Sequence, residues 1–213
     1  MKNNKISIFQ TKPDFCLNFD LIDQNIILIT GTPGSGKSTL SLKLAQENDY
    51  KKIRLELCLG YELSEATPLE QILLNKFKQK YPEWNTKLFE IENNQIMSHY
   101  VNLFYNHILE ENELIQKNLI IEGYYFVNYI DYSKIKDKKI IVKRTNLLTS
   151  IKRRQSREIT YLKKLYRSGE INKLNYYHQV ISLKKYTIIN SFKWYKEINH
   201  FIKKCETKIK KRR

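Results

Sequence analysis

The sequence predicts an α/β protein built on a doubly wound parallel sheet, and three observations carry that prediction. Short apolar, β-branched runs recur along the chain, longer stretches of helical spacing separate them, and the first run ends on a glycine-rich turn that opens a helix. Continuous apolar runs suit strands buried on both faces of a parallel sheet. Strand and helix in alternation require crossover connections.

The first run is Ile26-Ile27-Leu28-Ile29, preceded by polar Asp23-Gln24-Asn25 and ended by Thr30-Gly31. A helix is expected over Ser38 to Asn48, where Leu40, Leu44 and Ala45 share a face. The second run, Ile53 to Leu59, alternates Arg54 and Glu56 with Ile53, Leu55 and Leu57, as a strand does. Pro68 to Lys80 places Ile72, Leu73 and Phe77 on one helical face, with Pro68 suited to a first turn. Asn94 to Lys117 carries a stripe of Ile96, Tyr100, Leu103, Phe104 and Ile108, read as core. The third run is Leu119-Ile120-Ile121, followed by Glu122-Gly123, and the fourth is Lys139-Ile140-Ile141-Val142. Helices are expected over Leu148 to Arg167 and Phe192 to Lys211, with a fifth strand, Tyr186-Thr187-Ile188-Ile189, between them. Lys5 to Phe9 is a candidate extra edge strand or hairpin.

No repeat, proline-rich linker or low-complexity tract divides the 213 residues, so a single domain over 1–213 is expected. No apolar run approaches the roughly 20 residues that span a bilayer, and the N-terminal segment lacks a signal-peptide core. Cys16, Cys58 and Cys205 are too few and too scattered for a disulfide framework or a metal knuckle. The expected setting is therefore cytoplasmic, away from membranes.

The net charge of +16 is unevenly placed. Residues 1–142 hold 17 Lys and Arg against 18 Asp and Glu, whereas residues 143–213 hold 21 against 4. A field of one sign in one region concentrates polyanions such as a nucleoside triphosphate, a phosphorylated metabolite or nucleic acid.

The most specific feature is Gly31-Thr32-Pro33-Gly34-Ser35-Gly36-Lys37-Ser38-Thr39, a full match to G-x-x-x-x-G-K-[ST]. The glycines let backbone amides approach phosphate oxygens closely. Those amides then form an anion-binding concavity at a helix N-terminus. Lys37 supplies a point charge for the β- and γ-phosphates, and Ser38 a hydroxyl for Mg²⁺. An apolar strand before the motif and a helix after it complete the context that a phosphate-binding P-loop requires. Glu122, a lone carboxylate ending the third strand, is placed to hold a water of the metal's shell. There is no Asp-Glu pair of the kind a hydrolysing ATPase uses, no L-S-G-G-Q, and no N-K-x-D where a GTPase needs it.

After the fourth strand, residues 144–157 are rich in Lys and Arg, with Arg153 and Arg157 one helical turn apart and Lys152 and Arg154 facing elsewhere. Phosphoryl transfer asks mainly for charge neutralisation and water exclusion, which guanidiniums on a mobile helix can supply.

With these pieces in place, the chain resembles the P-loop nucleoside and nucleotide kinases, a superfamily that includes uridine, nicotinamide riboside, adenylate and polynucleotide kinases. The resemblance rests on G-T-P-G-S-G-K-S-T, on L-I-I-E-G, on the R-x-x-x-R segment, and on Tyr186 to Asn190, which is similar to the last strand and adenine-side Asn of such kinases. It implies a three-layer αβα P-loop fold with a five-stranded parallel sheet of order 2-3-1-4-5. It also implies ATP and Mg²⁺ as cofactors, a helical lid over about 144–170, and Asn190 beside the base. Members that phosphorylate a hydroxyl place a carboxylate base near the end of strand two. Here that position falls to Glu56, with Glu62 and Glu65 behind it, although the D-x-D or D-D pattern of several members is absent. The residues leave open whether Glu56 or Glu122 takes the proton.

The acceptor expected first is a nucleoside, nucleotide or similar small metabolite. The alternatives are nucleic acid bound through the basic final third and its tail 203–213, a sugar nucleotide as in zeta-type toxins, or a P-loop that binds without catalysis.

Overall fold

A computed structural model of the chain describes residues 15–17, 23–60, 63–85, 93–115, 118–130, 132–135 and 138–210. The expected strand at Lys5–Phe9 and the candidate carboxylate of Glu62 lie outside them. In chain order the elements are β1 (Phe15–Leu17), β2 (Asp23–Thr30), α1 (Lys37–Asn48), β3 (Lys51–Arg54), α2 (Pro68–Lys80), α3 (Asn94–Ile115), β4 (Leu119–Glu122), α4 (Tyr132–Ile135), β5 (Lys138–Val142), α5 (Leu147–Arg167) and α6 (Lys173–Lys210). They belong to two compact units. One comprises Phe15–Gly31 and Lys37–Lys143; the other comprises Thr32–Gly36 and the chain from Arg144 onward.

The first unit is the sheet and the helices that cover it. Four strands run parallel in the order β3-β4-β2-β5, which is 2-3-1-4 in the numbering of the expected core strands. β1 pairs antiparallel with β5 at the outer edge. The five-stranded parallel sheet is thus corrected: the place beyond β5 is taken by an N-terminal antiparallel strand.

Sheet residues alternate in direction and are buried both ways, as the apolar runs require. Ile27, Ile29 and Ile120 pack against Leu40, Leu44 and Ala45 of α1. Ile26, Leu28, Leu119 and Ile121, which point the other way, are no more than 6% exposed. A second apolar centre forms around Phe77 of α2, whose ring meets Trp84, Phe104 and His107 at 5.1–5.6 Å in edge-on and tilted contacts.

The second run departs from its expected form. β3 ends at Arg54, and Leu55–Leu59 wind into a 3₁₀ turn closed by Gly60 in the left-handed region, φ 83°. Continued as a strand, Leu55, Leu57, Cys58 and Leu59 could not share one buried side; the turn buries all four. Arg54 is then fixed from the side. The Glu70 carboxylate accepts from its backbone N–H at 2.9 Å and from its guanidinium at 2.9 and 3.1 Å. Glu70 also closes a capping box with Thr67, which sets the start of α2. Burial raises the Glu70 pKa, but the hydrogen bonds from Arg54 and Thr67 outweigh it and hold the carboxyl below 4.5.

The second unit is led by α5 and α6, a helical hairpin in which Gln155 Nε2 donates to Thr187 Oγ1 at 2.9 Å. Tyr186–Ile189 is not a strand. It lies inside the 38-residue α6, where Thr187 is fully buried and Ile188 and Ile189 are exposed. Four β-branched and aromatic residues cannot end a helix that has no proline or glycine on either side. α6 accordingly starts 19 residues before the helix expected from Phe192. No helix among the described residues is long and apolar enough to cross a membrane.

Because Glu70 is depressed in the folded state, its stabilisation is complete above the unfolded value near 4.5 and is lost as pH falls below it. Glu70→Gln is expected to lower stability at neutral pH by about 1–3 kcal/mol and to flatten its fall in acid. Urea titrations at pH 7 and pH 3.5 check both effects.

Candidate functional site

The motif turn follows β2 directly, and α1 begins at its Lys37. Gly34 and Gly36 sit at φ 84° and 89°, in the region that side-chain-bearing residues avoid. Turns of this kind are suited to converge backbone N–H groups on an anion, and this one leads into the N-terminus of α1. Thr32 is buried, Ser35 is 1% exposed, and the Ser35 hydroxyl is buried without a hydrogen-bond partner. An orphaned buried donor inside the turn fits a site made for an oxygen-rich ligand.

Next along α1, the Ser38 hydroxyl donates to Glu122 Oε1 in a short bond. One turn on, the Ser41 hydroxyl donates to Glu122 Oε2 at 2.6 Å, and Lys52 Nζ of β3 reaches the same oxygen at 3.0 Å. Glu122 is 2% exposed. Burial raises its pKa, but the charges of Lys52 and Lys37 and the two serine hydroxyls prevail, so it stays ionised below 4.5. Ser38 and Glu122 are the two residues expected at the metal, and the structure brings them together.

Glu56 lies at the start of the 3₁₀ turn after β3. Its Oε1 accepts the Tyr124 backbone N–H at 2.5 Å. A Cβ on Gly123 would stand 2.9 Å from Leu55 Cβ and 3.1 Å from Glu56 Oε2, so glycine is what lets this carboxylate close on the end of β4. Burial is the largest influence on Glu56 and raises its pKa, against the lowering effects of Lys37 and the Tyr124 N–H; Glu122 raises it further. Two carboxylates at neighbouring strand ends are therefore pushed in opposite directions. Glu65, expected behind Glu56, is exposed, and its carbonyl accepts from Arg54 at 2.7 Å.

In the other unit, α5 is held on the crest of the turn. Asn146 caps α5 by accepting from Thr149 N–H at 2.7 Å, and the Ser150 hydroxyl donates to the Pro33 carbonyl at 2.6 Å. Arg153 points at the turn, its Nη1 lying 3.7 Å from where a Gly36 Cβ would be. Arg157 does not; it is 67% exposed with Nη2 3.5 Å from Glu158. Arg154 instead anchors the hairpin, its guanidinium 4.3 Å from the Trp194 ring and 5.3 Å from the Tyr186 ring. Asn190 is on α6, its amide donating to the Tyr186 carbonyl. Thr39 is exposed on α1.

Sequence reasoning missed Ser41, Lys52, Gly123 and Ser150. Ser41 was within reach, since it lies three residues beyond Ser38 on one helical face. Lys52 and Ser150 carry no sequence signal, because their partners are distant in the chain.

The strand–turn–helix geometry, the positive-φ glycines and the serine–carboxylate pair define a P-loop nucleotide-binding protein. The profile of a family described as an AAA domain matches residues 27–173, more than half of the chain, and the chain belongs to that family. No curated protein matches it.

A Cβ on Gly34 would sit 2.6 Å from the Ser150 carbonyl oxygen, whereas at Gly36 only the tip of Arg153 is near. Both substitutions carry the roughly 1–2 kcal/mol of left-handed backbone strain. Gly34→Ala adds a backbone clash, so it is expected to lower Tm by several degrees more than Gly36→Ala; differential scanning calorimetry of the two compares them directly.

Proposed function

We propose that the protein is an ATP-dependent phosphotransferase that moves the γ-phosphoryl group to a hydroxyl of a nucleoside, nucleotide or related small metabolite. The observation that carries the reading is the opposed pair at the P-loop: Glu122 held ionised and Glu56 raised, both within the field of Lys37. Paired groups driven apart in this way take different tasks in catalysis. The AAA domain family, which contains many kinases as well as non-catalytic members, is compatible with it.

The residues present fit Mg²⁺ in one manner. Among the described residues no group of three or more His, Cys, Asp or Glu could hold a metal. Ser38 and Glu122 would hold the cation there, with phosphate and water completing its ligands, a donor set that suits Mg²⁺. The chemistry it would supply there is neutralisation of phosphate charge.

The chain's own groups do the rest. The amides of 32–38 cradle the phosphates, and Lys37 orients the terminal group. Arg153, beside Gly36, offsets charge that spreads over the phosphoryl oxygens in transfer. Glu56 takes the acceptor's hydroxyl proton. The acceptor oxygen bonds to the γ-phosphorus as the bond to the β-phosphate bridging oxygen breaks, and ADP leaves. A base with a raised pKa is better matched to work near neutral pH than an ordinary carboxylate. Single-domain organisation over 1–213 and a cytoplasmic setting belong to the same reading.

The test is transfer from labelled ATP to a panel of nucleosides, nucleotides, sugar nucleotides and 5′-hydroxyl oligonucleotides. Lys37→Ala is expected to abolish transfer. Glu56→Gln is expected to cut kcat by about 10²–10⁴-fold while leaving ATP binding in place. The wild-type kcat/KM should fall on the acid side with a midpoint above 4.5, the ordinary carboxylate value, and that limb should vanish in Glu56→Gln. Full turnover in Lys37→Ala would remove the P-loop from the mechanism.

A further inference from the structure

From residue 152 to 186 the α5–α6 hairpin buries no side chain: every residue is half-buried or exposed. Among the described residues, no third layer of structure lies upon this two-helix arm. It holds ten Lys and Arg against two acidic residues, Glu158 and Glu170. Four of these cations, Lys163, Lys164, Arg167 and Lys173, flank the turn between the helices. Lys163, Lys164 and Arg167 line the last turns of α5, and all are exposed. Tyr161, 58% exposed, precedes them, Tyr166, 41% exposed, stands among them, and across the turn Tyr177 is 52% exposed. The Tyr166 ring stacks on Tyr176 of α6 at 5.3 Å and 27°, which fixes the two helices' aromatic faces side by side.

Exposed cations alone describe a solvated helix. Exposed tyrosines alone describe unspent apolar surface. Interleaved on one arm tip, they match one ligand chemistry, a chain that offers a phosphate and a flat unpaired base at each repeat. We propose that the tip of the α5–α6 arm grips single-stranded nucleic acid. Lysine and arginine contact phosphates, and tyrosine faces take unstacked bases. A duplex satisfies the charges but hides its base faces, so it binds less well. The proposal concerns binding, and it stands whether the phosphate acceptor is a small metabolite or the strand's own end.

Fluorescence anisotropy with the full chain and a labelled 20-nucleotide single strand, repeated over a series of salt concentrations, tests it. The expected result is tighter binding to the single strand than to a duplex of equal length, weakening steadily with salt. Lys163→Glu, Lys164→Glu and Arg167→Glu together should weaken binding at least tenfold and reduce the salt slope by about 2, at roughly 0.7 for each phosphate no longer neutralised. Tyr161→Ala with Tyr177→Ala should weaken it about tenfold and leave the slope unchanged, since stacking releases no counterions. Binding of the triple variant equal to wild type would overturn the proposal. So would equal affinity for duplex, or capture by phosphatidylserine vesicles with none of the single strand, which would make the arm a lipid-surface contact.

Discussion

One buried carboxylate organises the sheet end of this protein. Glu122 finishes β4 and is met by hydroxyls from two successive turns of α1 and by an ammonium from β3. A buried charge left alone costs several kcal/mol, so each of these donors is required by the carboxylate and not merely near it. The consequence is geometric. Ser38 is fixed at the start of α1, the P-loop that precedes it is pinned at one end, and the strand order β3-β4-β2 brings the three contributors together. Removing the carboxylate would free three elements at once.

The same neighbourhood shows how one environment makes two different acids. Glu122 has three side-chain donors and stays ionised; Glu56 accepts from backbone N–H groups, and desolvation outweighs them and the charge of Lys37, so its proton is harder to lose. Gly123 is the hinge of the contrast, because only a residue without a Cβ allows Leu55 and Glu56 to lie against the end of β4. An alanine there would clash with Leu55 Cβ and crowd the Glu56 carboxylate.

Much of this was legible in the sequence, and the exceptions have physical causes. β2, β4 and β5 are read correctly because an apolar run between polar punctuation has few other uses. α2 matches its expected bounds because Thr67, Pro68 and Glu70 form a cap that is written locally. The P-loop and Glu122 were visible for the same reason: their meaning is contained in a few consecutive residues. The run at 53–59 misleads because period-two alternation of leucines also suits a buried 3₁₀ turn. Tyr186–Ile189 misleads more deeply. Its β-branched residues favour a strand, yet the helix continues on both sides, and packing of Thr187 against Gln155 outweighs propensity. Arg153 and Arg157 share a helical face in projection, but only Arg153 reaches the turn, because Arg157 extends past it towards Glu158.

Calorimetric titration of ATP, with excess Mg²⁺ and again with EDTA, into the wild-type chain and Glu122→Gln, measures the central claim most directly. The serine–carboxylate seat should make wild-type binding stronger with Mg²⁺, and the substitution should remove about 10–100-fold of that gain while changing the EDTA affinity little. No heat from the wild type with MgATP, or the same Mg²⁺ gain in both proteins, would contradict it.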